Sequence, residues 1–194
     1  MHIILSSLIL ILSFQFSSMA DDISDFQIEG ISIGDSLLNY MTIKEIKSSK
    51  RNYLKNKKYY VVGYNKDLKT YSQVDIYLKK GDNKYIVKTL SGTIFMQLNE
   101  CLGEKKKIVN ELSEIFLNAS EKTYNKVPHS YDKTGKSLQY QTGFLLKNSN
   151  DDDHIRVECT DWSNKFTTEN GWTDNLSVSA FSKEILNWFK MGYN

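Results

Sequence analysis

Few side chains in this chain are arranged as chemistry would need them. Asp151-Asp152-Asp153-His154, with Glu158 four residues after the histidine, is the one run that resembles a set of metal ligands. Adjacent aspartates offer oxygen to a hard cation such as Ca²⁺. On an extended chain, however, neighbouring side chains point to opposite faces, and the spaced D-x-[DN]-x-[DN]-G loop is missing. We read residues 148–153 as a polar hairpin turn and expect neither metal nor cofactor. His129 follows Pro128 in a polar loop and His154 falls on the wet side of a strand, and neither lies in a Ser or Cys nucleophile signature. Glu111 and Glu114 sit on the charged side of a helix, which is solvation rather than an acid–base pair. Gly30-Ile31-Ser32-Ile33-Gly34 lacks the lysine of a phosphate loop; its glycines suit a tight backbone entry into a helix. No catalytic residue is assigned.

Three features carry more weight. Cys101 and Cys159 are the only cysteines, and an even pair in an exported chain predicts a disulfide. Trp162 and Trp172 bracket a polar loop between strands, where exposed indoles can stack on a sugar or ligand ring, although such rings more often fold back over the core. The third feature is charge. Residues 44–107 hold 16 bases against six acids, whereas residues 21–43 hold five acids and no base. Within the basic stretch Lys44, Lys47, Lys50, Arg51, Lys55, Lys57 and Lys58 run beside Tyr53, Tyr59 and Tyr60, a patch suited to an anionic surface. Only two of the 25 cations are arginine, which removes the bidentate reader of phosphate and guanine, so nucleic acid is not expected as a partner.

The elements that position these residues follow from pattern. Residues 1–20 read as a signal peptide, with an apolar stretch from Ile3 to Phe16 and small residues at Ser18 and Ala20 before Asp21. The apolar part is shorter than the ~18 residues of a spanning helix, so a membrane-spanning chain is not expected. Residues 21–25 form an acidic lead-in, expected to be mobile, and residues 26–194 a single domain. Ser36 or Asp35 can cap a short helix through Tyr40, and Thr42 with Glu45 forms a capping box for a second. Residues 59–64, 73–79 and 84–96 read as strands; in the middle one Val74, Ile76 and Leu78 alternate with Asp75, Tyr77 and Lys79. Residues 105–118 return to helical spacing, residues 138–146, 154–162 and 175–181 read as three further strands, and Ser182 caps a final helix. The result is an α+β fold in the order αα-βββ-α-βββ-α, antiparallel, with helices packed on one face and one disulfide. The two halves match in element order but not in sequence.

The run Phe26-x-Ile28-Glu29-Gly30-Ile31-Ser32-Ile33-Gly34-Asp35-Ser36-Leu37-Leu38, with Cys159-x-Asp161-Trp162-Ser163 and Trp172-x-Asp174-Asn175-Leu176, resembles a group of small uncharacterised exported proteins of marine alphaproteobacteria. The resemblance spans nearly the whole mature chain, implies a Gram-negative periplasm and brings no activity with it. Over residues 28–98 the element order resembles BamE-like outer-membrane assembly proteins, without their lipobox. The expectation is an exported, periplasmic or secreted, non-enzymatic domain that binds an envelope protein or an anionic surface. The alternative is a small hydrolase or carbohydrate-active protein using the loop 162–174.

Overall fold

The computed structural model describes residues 22–51, 58–147 and 152–190. The signal-peptide reading, Lys55, Lys57 and Asp151 lie outside them. From Asp22 the acidic lead-in belongs to the fold: Asp22 caps a 3-10 turn, Ile23–Asp25, and Ile23 is buried in the core. A small hairpin follows, β1 (Gln27–Ile28) and β2 (Ile31–Ser32), turned at Glu29 and Gly30, both with positive φ. Gly30 thus serves a hairpin turn rather than the helix entry expected of it, because two left-handed residues match the twist of the flanking strands. The two short helices are present. Ser36 caps a 3-10 turn, Leu37–Asn39, and α1 (Ile43–Ser48) starts on the Thr42/Glu45 capping box.

Eight strands then form one wholly antiparallel sheet. The first four are β3 (Lys50–Arg51), β4 (Tyr59–Tyr64), β5 (Gln73–Lys79) and β6 (Val87–Phe95). Helix α2 (Leu98–Ile115) leads to β7 (Ser120–Pro128), β8 (Leu138–Lys147) and β9 (Asp152–Asp161). Helix α3 (Asn164–Asn170), β10 (Asn175–Phe181) and α4 (Lys183–Lys190) complete the chain. The spatial order is β3-β4-β5-β6-β10-β9-β8-β7. Two four-stranded meanders therefore meet where β6 pairs with β10. The α+β class, the antiparallel sheet and the disulfide are as the sequence predicts.

Alternation along each strand divides the sheet into two faces. The core face carries Val62, Val74, Ile76, Leu78, Leu90, Ile155, Val157, Cys159, Leu176 and Val178, all buried. The N-terminal segment (Ile23, Phe26, Ile28, Ile31, Leu37, Ile46) and α2 (Cys101, Leu112) cover it. The helices do not all share this face. Ile185 and Trp188 of α4 pack in a separate cluster with Tyr59 and Phe181. These two residues alternate with Tyr60 and Ala180 of the main core, so α4 lies on the opposite side of the sheet. A two-fold axis between β6 and β10 would put α2 and α4 on the same face. Their opposite placement tells against an internal repeat.

Three elements differ in extent from the sequence reading. Helix α2 begins at Leu98 rather than at 105, because a core-facing stripe position is taken by Lys105, which is buried, and Gly103 interrupts the pattern. Strand β7 is an edge strand exposed along nearly all its length, so it carries no apolar alternation to detect. Residues 164–170 form α3, not an irregular loop; Gly171, at φ 67°, supplies its left-handed stop.

Candidate functional site

Away from α4, the second face of the sheet is polar. Reading across the pairings, one row runs Asp75 on β5, Ser91 on β6, Ser179 on β10, Arg156 on β9 and Gly143 on β8. The next row is Gln73, Thr93, Ser177, Glu158 and Gln141. None of these ten positions is a lysine, and on the edge strand β7 the two rows end at Lys122 and Tyr124; the chain's two arginines both lie on this open face. Arg51 reaches it from β3. Its guanidinium lies over Gly63, the residue opposite Asp75, and its Nε–H donates to Asp75 Oδ1 at 2.8 Å. At the other end of the row the His154 ring lies over Gly143, where a Cβ would come within 2.5 Å of Cε1. Two glycines thus let two long side chains lie flat against the sheet.

The centre of the row is hydroxylic. Ser91 Oγ and Ser179 Oγ are 2.7 Å apart and hydrogen-bonded. Beside them the Arg156 guanidinium sits over the Phe181 ring, its carbon 4.9 Å from the centroid. The nearest carboxylate oxygen, Glu158 Oε2, is 3.5 Å from Arg156 Nε, an ion pair without a hydrogen bond, and both atoms are buried. Glu158 Oε1 by contrast accepts from Gln139 Nε2 at 2.7 Å and from Thr160 Oγ1 at 3.2 Å.

The strand ends beyond these rows carry an aromatic cluster. Trp162 and Trp172 meet edge-to-face at 4.6 Å, Phe166 of α3 stacks on Trp162 at 5.8 Å, and His129 lies 4.2 Å from Trp162. Tyr131 adds an exposed ring 6.0 Å from Trp172. The loop bearing His129 and Tyr131 is braced by Asp132, which accepts from the amides and hydroxyls of Thr134 and Ser137. Those bonds hold its carboxyl well below the ordinary carboxylate range. Burial pushes the His129 imidazole below its usual value, opposed by Glu158 and Asp132. Its Nδ1 accepts from the Tyr131 amide at 3.2 Å. Asp174 Oδ1 accepts from the Trp162 amide at 2.8 Å, and Asp161 is raised by burial and by Asp174.

The sequence-predicted residues fall as follows. Cys101, in the first turn of α2, and Cys159, on the core face of β9, are bonded with Cα atoms 5.9 Å apart. Trp162 and Trp172 come together, half-buried against each other rather than free in a loop. The basic run is divided. Lys44 and Lys47 are exposed on α1. Lys50 and Arg51 are consecutive on β3, so they take opposite faces: Lys50 sits over Tyr60 at 4.8 Å while Arg51 pairs with Asp75. Lys58 lies over Tyr59 at 5.2 Å. Asp153 Oδ1 accepts from the Lys183 amide at the start of α4, and among the described residues no group of ligands is placed to hold a metal. Sequence reasoning missed Arg156, Glu158 and the serine pair. The available signal was arginine used at just two positions in a lysine-rich chain.

No family model, no curated protein and no solved structure matches the chain. Among the described residues no helix is long and apolar enough to cross a membrane.

Proposed function

We propose that this chain is an exported, non-enzymatic binding domain that seats an envelope protein on the open face of its sheet. One observation carries the reading: the choice of side chains there. Arginine and aromatic residues are enriched at protein interfaces and lysine is depleted. The open face holds both arginines and, on β5, β6, β10, β9 and β8, no lysine in its two central rows; at its margins Phe95 and Tyr124 lie on the same side, 51% and 53% exposed, with Lys122 beside Tyr124 on the edge strand β7. Ser, Thr and Gln between them offer adaptable hydrogen bonding, a composition that also serves paratopes. The disulfide suits an oxidising compartment, and the resemblance to exported alphaproteobacterial proteins supports a periplasmic one. An anionic surface gathered by residues 44–58 has less support, since Arg51 is committed to Asp75 and Lys50 faces the other way.

The test is site-specific photo-crosslinking in the exporting cell. A benzophenone side chain at position 95, 124 or 177 should yield a discrete protein adduct, and one at position 44 or 47 should not. Adducts confined to positions 44 and 47, or lipid adducts alone, would return the anionic-surface reading.

A further inference from the structure

We infer that Arg156 is the seat for a carboxylate that the partner brings to the open face, an inference that rests on the reading above. Arginine carries five N–H donors in a fixed fork. Arg51 is paired with a carboxylate already, its Nε–H bonded to Asp75 at 2.8 Å. Arg156 makes no hydrogen bond to any described residue; it forms the 3.5 Å ion pair with Glu158, lies over the ring of Phe181 and is close enough to His129 to disfavour its charged form. Its side chain is 37% exposed, and its buried Nε is turned toward Glu158, so the outer edge of the fork faces solvent. Stacking on Phe181 holds that edge in one orientation before any ligand arrives, which lowers the cost of ordering it.

The surroundings select the acceptor. In the Ser91–Ser179 pair one hydroxyl proton lies between the two oxygens, and the other is available beside the guanidinium. A planar carboxylate can take two parallel bonds from the fork and one from the serine. A phosphate dianion would bring a second negative charge against Glu158, and the row's lysine, Lys122, stands one strand beyond Gly143 on the exposed edge strand β7. Glu158 also keeps the free site near neutral, which explains how an arginine without a bonded carboxylate persists at the centre of the face.

Because the chain has two arginines, its Nε–Hε resonances are two in number, and each reports on the other. The oxidised mature protein is titrated with sodium acetate, sodium phosphate and sodium chloride at matched ionic strength. Acetate should shift the Arg156 signal saturably and leave the Arg51 signal in place, and chloride should move neither. Arg156→Lys should weaken acetate binding, read at the Ser179 amide, by about tenfold or more, since a lysine keeps the charge but loses the fork. If that variant does not fold, the titration of the unaltered protein decides alone. A signal that ignores acetate, a response at Arg51 instead, or an equal response to phosphate overturns the inference. Crosslinks at positions 95 and 124 alongside such a failure would leave the open face in use by a partner that brings no carboxylate to it.

Discussion

The two faces of the same eight strands are built from different rules. The core face is aliphatic through β5, β6, β10 and β9 and flanked by Tyr60, Tyr64, Tyr140 and Phe144 of β4 and β8; it is sealed by α2 and the N-terminal turns and tied by Cys101–Cys159. The open face is apolar where Tyr59, Tyr77 and Phe181 meet α4 and at Phe95 and Tyr124 on its margins; its central rows are hydroxyl, amide, carboxylate and guanidinium. An antiparallel sheet can leave one face to water, so polarity alone needs no function. What needs explaining is charge retained at partial burial, with Glu158 only 7% exposed and one oxygen lacking a hydrogen bond. Such groups cost stability, and sites that bind tolerate the cost. The core face is organised for folding; under the proposal above, the open face is organised for contact.

That contrast can be broken by substitution. The largest losses belong to the two apolar clusters, the core face and the packing of α4 on the other side. Ile155→Ala, at a fully buried position, should lower stability by about 2–5 kcal/mol in urea unfolding. Cys101→Ser should cost a similar amount, about 2–5 kcal/mol, by releasing a cross-link over 58 residues. Trp188→Ala, which empties the α4 cluster, should cost about 3–5 kcal/mol, and a loss no larger than that of a surface substitution would show α4 to be an appendage.

A smaller effect is expected in acid. Burial raises the Glu184 carboxyl, but bonds from Lys79, Tyr59 and Lys88 outweigh it and bring the group down to about 2. A carboxyl depressed in the folded state stabilises above its unfolded value and loses that contribution as pH falls toward its folded value. Acid unfolding should therefore steepen below about pH 4.5, and Glu184→Gln should remove that part of the profile while leaving Cys101–Cys159 intact. Smallest of all is the serine pair. Ser91→Ala or Ser179→Ala should cost about 1 kcal/mol or less, and the double variant no more than the singles, since removing both partners leaves nothing unpaired.

What the sequence discloses follows the same division. Apolar alternation exposes the core face: Val74, Ile76 and Leu78 on β5, and Ile155, Val157 and Cys159 on β9, were legible by period, and the shared face of Cys159 anticipated its disulfide. The capping box at Thr42 and Glu45 was equally local. Polar elements were not. Strand β7 carries exposed residues and a register shift between Tyr124 and Val127, and α3 is short and without a buried residue. The candidate site lies beyond local reading because it is assembled across strands. Asp75, Ser91, Ser179 and Arg156 become neighbours through β10 entering between β6 and β9, a pairing that no spacing encodes. The basic run is hard to read locally for a related reason: among its described cations, β3 sends Lys50 and Arg51 to opposite sides.

The central claim, that the open face is covered in the cell, is tested most directly by hydroxyl-radical footprinting of the purified protein and of the same protein in intact cells. Phe95 and Tyr124 mark the open face, and Ile43 and Leu117 serve as exposed controls away from it. All four should oxidise in the purified protein. In the cell Phe95 and Tyr124 should be protected while Ile43 and Leu117 still react. Equal oxidation of all four in both settings, or protection at Ile43 alone, would contradict the account.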